Sequence, residues 1–332
     1  MGDDLTTKLT LPLRNKGIDV PNKRVRLTNF NNTKQTPDMT LPPNCQGFGR
    51  IRHFKRSTSP GWPTNPLPLD PALHALGLEP DDEVQAQVFQ NAVCNWRCWY
   101  CYVPFGLLKG DPNHSEMLSA EEIINLYLSE EKPPSIIDLS GGQPDMVPEW
   151  IPWMMKELRE RGLEQTTYLW SDDNLSTELF WEVLSEEEIH LIKTYPNYGK
   201  VCCFKGYDDD SFSFNTGAAP ERFEQQFQIF KRALDLNIDL YAYTTFTGPT
   251  RDNIKQRMSH FVDRLQDLHA NLPLRTVPLE VAEFGAMRQR VKEEHKTAIL
   301  NQKAAIDAWN DEIYKRFSET ERSKAIYLHT LS

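Results

Sequence analysis

Cysteine is scarce in this chain: six in 332 residues, and none after Cys203. Cys202 and Cys203 are adjacent and Cys45 stands alone, so no second cysteine pair has zinc-knuckle spacing. Structural zinc wants four ligands, usually from two such pairs. Long apolar runs are lacking too. No stretch approaches the roughly 18 residues that a membrane-spanning helix needs, and the opening Met-Gly-Asp-Asp-Leu-Thr-Thr-Lys has no apolar core of a secretory signal. No membrane partner is therefore expected. Internal repeats are not detectable. The 39% hydrophobic content and eight tryptophans are enough for a substantial core. The length suits one barrel-sized domain with an appendage, or two ordinary domains.

Charge is unevenly spread. Residues 1–60 carry 11 Lys/Arg against 4 Asp/Glu, a balance of +7, so the remainder holds −17 of the net −10. Eleven of the 23 prolines precede residue 81. The run Ser59-Pro-Gly-Trp-Pro-Thr-Asn-Pro-Leu-Pro-Leu-Asp-Pro excludes a central strand or a helix interior. Residues 1–82 thus read as a proline-rich, basic, turn-rich arm, partly ordered through Trp62 and Leu67. A basic face can attract nucleic acid; the favoured reading lays the arm against its own acidic domain or in solvent.

The remaining cysteines are concentrated in Val-Cys-Asn-Trp-Arg-Cys-Trp-Tyr-Cys-Tyr, with Cys94, Cys98 and Cys101 spaced four and three apart. Cys-x-x-Cys alone is also compatible with a redox pair, or with a zinc site completed by His114 or Cys45. Iron–sulfur cubanes are held by thiolates on short loops, and an electron carrier supplies four. Three leave one iron open. About 40 residues after Cys101, Ser140-Gly141-Gly142-Gln143-Pro144 follows an apolar run of strand length and precedes a helical pattern. Paired glycines there let backbone approach a ligand closely.

Together these two motifs resemble the radical S-adenosylmethionine (SAM) superfamily. The resemblance implies one 4Fe-4S cluster on Cys94, Cys98 and Cys101, its open iron chelating SAM, and reductive cleavage to a 5′-deoxyadenosyl radical that abstracts hydrogen. It gives Gly141, Gly142, Gln143 and Pro144 the place of the Gly-Gly-Glu-Pro motif that holds the SAM amino group. Gln143 brings no negative charge, so backbone carbonyls and iron would carry that contact. Tyr100, between Trp99 and Tyr102, becomes the candidate adenine neighbour. With one cluster, an outside electron donor such as flavodoxin or ferredoxin is implied, and a thiolate-held cluster implies the reducing cytoplasm.

From residue 83, apolar runs alternate with amphipathic stretches, the pattern of strand–helix units around a parallel sheet. Strands are expected at 83–93, 136–139, 166–170, 200–205, 238–246 and 275–281. Helices are expected from Ser119, whose partner Glu122 makes a capping box; through Trp150, Met154 and Leu158; as two short helices after residue 170, with Ser185 and Glu188 a second capping box; from Pro220 through Phe223, Phe227, Phe230 and Leu234; over 251–269; and over 287–317. The fold class is therefore α/β, a partial (β/α)6 barrel over 83–285, with residues 286–332 a terminal helix packed on it. In such barrels chemistry sits on loops at the carboxyl ends of the strands.

The stretch from Phe204 to Phe223 resembles the enzymes that activate glycyl-radical enzymes, where a strand ends in Asp-x-Lys-Gly and Thr-Gly follows. That resemblance assigns Lys205 to the SAM carboxylate, a task suited to a compact ammonium. Cys203 stands where the aspartate would be, so a cation site found in relatives is not expected. Cys202 and Cys203 must point to opposite faces of a strand and read as buried structural thiols. By topology, Ser171, Asp172 and Asn174 end strand three near SAM or form an Asx turn. Thr245 and Gly248 end strand five, and Val277, Pro278 and Leu279 lie near the expected adenine. Glu280, Glu283 and His114 are candidates for handling substrate protons, and the run Asp208–Asp210 reads as solvated. Three functions follow: hydrogen abstraction from a glycine of a glycyl-radical partner enzyme; the same radical chemistry directly on a small molecule, nucleoside or short peptide substrate, with polar groups from the arm or strands five and six; or a non-catalytic metal-binding interaction protein.

Overall fold

The computed structural model describes residues 5–331. The N-terminal segment is more ordered than its prolines suggest. Helix α1 (Leu5–Gly17) leads into β1 (Ile18–Asp19) and β2 (Arg24–Thr28); β3 (Gly49–Lys55) and α2 (Leu69–Ala75) follow. Then come β4 (Glu83–Gln90), β5 (Ser115–Ser119), α3 (Ala120–Leu128), β6 (Ile136–Ser140), α4 (Trp150–Glu160) and β7 (Tyr168–Asp173). The chain continues through α5 (Leu179–Val183), α6 (Glu186–Thr194), β8 (Tyr198–Phe204), α7 (Asp209–Thr216), α8 (Arg222–Leu234), β9 (Asp239–Thr245) and α9 (Ile254–Leu268). It closes with β10 (Thr276–Leu279), α10 (Glu293–Arg316) and α11 (Glu319–Arg322).

Six strands are parallel in the order β10-β9-β8-β7-β6-β4, the partial barrel expected. A seventh, β3, pairs antiparallel with β4 along its whole length. The arm thus supplies an edge strand of the main sheet, and β2 pairs with β5 in a separate three-stranded sheet. Arginines at alternate positions hide β3 in the sequence. Arg50, Arg52 and Phe54 share one face, and only Phe54 reads as apolar.

Both expected capping boxes form, at Ser119/Glu122 and Ser185/Glu188. Three expectations need correction. Strand three extends to Asp173, so Ser171 and Asp172 lie inside it. Asp208 is not simply solvated: it caps α7, accepting from Ser211 N at 2.9 Å, and pairs with Arg257. The last long helix begins at Glu293 rather than Met287, after a short 3-10 turn.

Alternation along the strands sorts side chains into an inner and an outer layer. Trp170, Val201, Tyr241 and Val277 pack inside the sheet with Leu67, Leu69 and Ala72 of the arm. On the outer face Phe204, Phe227, Phe230, Phe246, Phe261 and Trp309 form a continuous aromatic layer that seats α10. Fully burying one such ring is worth about 1.5–3 kcal/mol.

The basic arm is matched internally. Arg14 forms a buried pair with Glu149, Arg24 meets Glu122, and Arg56 bridges Asp70 and Asp82. Segment 56–68 then crosses between the two sheet edges. Trp62 Nε1 donates to Pro278 O at 3.0 Å, Ser59 Oγ bonds Glu280, and Tyr243 OH donates to Leu67 O at 3.2 Å. Among the described residues no helix is long and apolar enough to cross a membrane.

Candidate active site

The cysteine loop starts where β4 ends, and the turn after β6 is docked directly on it. Gln143 N donates to Val93 O at 2.8 Å, and Asn91 Nδ2 donates to Gln143 O at 3.0 Å. Gly142 sits at φ +56°, and a Cβ there would lie 2.3 Å from Val93 O. Only glycine permits that approach, since both the backbone and the contact exclude a side chain.

A second support comes from α7. Asn215 is fully buried; its Oδ1 accepts from Trp99 Nε1 at 3.0 Å, and its Nδ2 donates to Lys205 O at 2.8 Å and Thr247 O at 3.0 Å. Backbone carbonyls of Asn215 and Thr216 accept from Trp99 N and Arg97 N. The Thr216-Gly217 pair singled out in sequence ends this helix, with Gly217 left-handed at φ 70°. On the other side, His295 of α10 stacks on Trp99 with centroids 4.5 Å apart, and Arg290 bonds the carbonyl of Cys101.

Cys94, Cys98 and Cys101 all line one cavity of about 240 Å³. Tyr100, Gly141, Gly142, Asp172, Asn174, Lys205, Thr245 and Leu279 line it with them. Four expected contacts do not. Gln143 is fully buried and spends its amide on Asp173 Oδ1 (2.7 Å) and Asn174 N (2.8 Å). Ser171 faces outward to Tyr198 OH at 2.7 Å. Pro144 opens a buried turn, and Val277 lies deeper, in the inner core. Glu280 lines the cavity, whereas Glu283 is exposed and His114 lies beside a different depression. The Asx turn does form, but on Asp173, whose Oδ1 accepts from Leu175 N.

Sequence reasoning missed Arg52, Tyr243 and Asn215. Arg52 was concealed with β3, Tyr243 inside an apolar strand, and Asn215 in a helix too short to show a period. Cys202 and Cys203 diverge as strand geometry requires. Cys202 packs into the outer aromatic layer; Cys203 faces the cavity as a fourth thiol.

Burial holds the thiols protonated, pushing Cys94 up to about 11, and Cys98 and Cys203 up to about 12. Ligation of a metal therefore releases protons. Burial disfavours the charge on Lys205, yet the acidic groups around it, Cys203, Tyr100, Cys98 and Cys94, shift its pKa upward, so the ammonium is kept. Lys205 has no ion pair among the described residues, so it is available to an anionic ligand. Among those residues no three His, Cys, Asp or Glu side chains converge on a single-ion site. A cubane does not require such convergence, because each cysteine takes its own iron. Three free thiols on one loop, a glycine turn without side chains and an unpaired ammonium around one cavity fit a cluster with SAM beside it.

A family model for the radical SAM superfamily matches residues 91–260, just over half of the chain. The chain belongs to the radical SAM superfamily. A 4Fe-4S cluster and SAM are accordingly its cofactors. The solved structures the chain is similar to are remote. Streptococcus suis SuiB bound to S-adenosylmethionine is 13% identical, with 70% of this chain and 48% of that chain covered and a TM-score of 0.47. SuiB bound to precursor peptide SuiA is 12% identical, with 55% and 36% covered and a TM-score of 0.39. The chain thus spans less than half the length of these structures. No curated protein matches.

Proposed function

We propose that this radical SAM enzyme acts directly on a small molecule held inside the barrel, and that Cys94, Cys98 and Cys101 ligate its cluster. When bound, the cluster and SAM would supply hydrogen-atom abstraction, with the electron for SAM cleavage coming from an outside donor. The chain's own groups bind and shield. Lys205 would hold the SAM carboxylate, the Gly141-Gly142 turn would present bare backbone to the amino group, and Tyr100, held by Thr245 at 3.1 Å, would flank the adenine. The strap over residues 56–68 bonds two residues that line the cavity, Glu280 and Tyr243, and would shield that side of the site.

One observation carries the small-molecule reading: the strap ties Trp62 to Pro278 of β10 and Ser59 to Glu280, a residue that lines the cavity. Activation of a glycyl-radical partner draws its support from Lys205-Gly206 and Thr216-Gly217, and the second pair already serves the cysteine loop.

Anaerobic reconstitution, with a flavodoxin or ferredoxin as electron donor, tests the proposal. The expected product is 5′-deoxyadenosine, with substrate hydrogen transferred into it. A glycyl-radical signal in a mixture with a large partner enzyme would overturn the small-molecule reading. No 5′-deoxyadenosine from a loaded, reduced cluster would leave only the non-catalytic metal-binding protein.

A further inference from the structure

Arg52 faces the cavity from the edge strand β3, four strands away from Lys205 in the sheet order, and Arg50 stands beside it over an adjoining cavity. Arg50 and Arg52 alternate with Ile51 and His53, so both point inward above Phe54. Neither has a carboxylate within hydrogen-bond distance. Arg52 approaches Asp138 Oδ2 only to 3.9 Å, and both oxygens of the fully buried Asp138 lack a hydrogen-bond partner. Arg50 lies 5.4 Å from the ring centroid of Tyr102, with its Nε buried and unpartnered.

These arginines line a second cavity of about 130 Å³ that shares Arg52, Tyr102 and Phe284 with the first. Its one acidic lining residue, Asp38, is committed elsewhere, accepting from Gly285 N at 3.0 Å and Ala286 N at 3.2 Å. Gln35 is tied reciprocally to Gln90. What remains open is guanidinium N–H. Partly desolvated cations with no carboxylate closer than 3.9 Å are costly, and planar forks two residues apart match the oxygens of a carboxylate or phosphate.

We propose that Arg50 and Arg52 form the substrate subsite, and that the substrate is a small molecule bearing an oxyanion, a carboxylate or a phosphate. The assignment rests on the small-molecule reading above and adds the substrate's chemical class. Lys205 serves the SAM carboxylate; the arginine pair anchors the substrate on the far side, leaving its middle toward the cluster.

The test uses the full chain with two probes, succinate and inorganic phosphate, against chloride at matched ionic strength. Thermal unfolding of the wild type should rise saturably with at least one probe, and which one responds separates carboxylate from phosphate. Arg50→Gln/Arg52→Gln should weaken that response at least about tenfold, which converts to about 1.4 kcal/mol of binding. Arg50→Lys/Arg52→Lys, which keeps the charge and the fold but loses the forks, should fall between. Lys205→Ala should retain the response. No saturable effect of either probe on the wild type, or an undiminished effect in both double variants, overturns the subsite. A response lost in Lys205→Ala and kept in the arginine variants overturns it too. Formation of 5′-deoxyadenosine by the wild type is scored separately. Its absence defeats the enzyme reading, while cleavage without anion binding defeats only the substrate class.

Discussion

The indole N–H of Trp99 and the side-chain carbonyl of Asn215 meet at 3.0 Å, joining the cysteine loop to a helix 116 positions further along. The same asparagine amide holds the carbonyls of Lys205 and Thr247. One buried residue therefore sets the relative positions of the cysteine loop and of two strand ends.

Asn215→Ala should consequently cost about 2–4 kcal/mol, since each buried group left without a partner costs about 1–3 kcal/mol. The variant should lose iron faster than the wild type on anaerobic gel filtration, read by iron content per chain. Unchanged iron retention would show that the loop holds itself.

Gly142→Ala should disable SAM binding without removing a single ligand. The left-handed backbone alone costs a side chain about 1–2 kcal/mol, and the Cβ would strike Val93 O. Equilibrium dialysis with SAM on the cluster-loaded variant is expected to show at least about tenfold weaker binding. An unaltered affinity would mean the turn is not the cradle.

Cys98→Ala should lose cluster and SAM cleavage together, while Lys205→Ala should keep the cluster's absorbance and bind SAM more weakly. Cys203→Ala discriminates further, because its thiol shares the cavity. Full iron content in that variant is expected from ligation by the loop alone. Loss of the cluster would make Cys203 a fourth ligand and close the open iron.

How much of this was legible from the chain follows the size and sign of local signals. The six barrel strands, the capping boxes and the two motifs were readable because each is contiguous in sequence. Strand β3 was not, since its inward face is arginine. Gln143 was misassigned for a related reason. Its motif position is visible, but its amide's commitment to Asp173 and Asn174 depends on residues some 30 positions away.

The pair Lys200–Asp145, 2.7 Å apart and almost wholly buried, gives a prediction with a pH sign. Burial first, and Asp173 second, push the Asp145 carboxyl from its ordinary 3.8 up to about 7 despite the lysine. A raised carboxyl favours folding while protonated, so its contribution is complete below about pH 4 and is lost as pH rises through 7. Lys200→Met removes the counter-ion. It should cost about 3–5 kcal/mol at pH 8, where the buried Asp145 must either stay ionised unpaired or take up a proton, and clearly less at pH 5, where it is already protonated. Denaturant melts at both values decide; equal losses would show that Asp145 does not titrate in this range.

The strap has a consequence for the order of events in the life of the molecule. Its bonds from Ser59 and Trp62 reach Glu280 and Pro278, more than two hundred positions away. Contacts of such separation carry a large loop-closure cost, so fastening the strap is a late event in folding. Removing the ribbon would leave the carbonyl of Pro278 and the carboxylate of Glu280 without these partners.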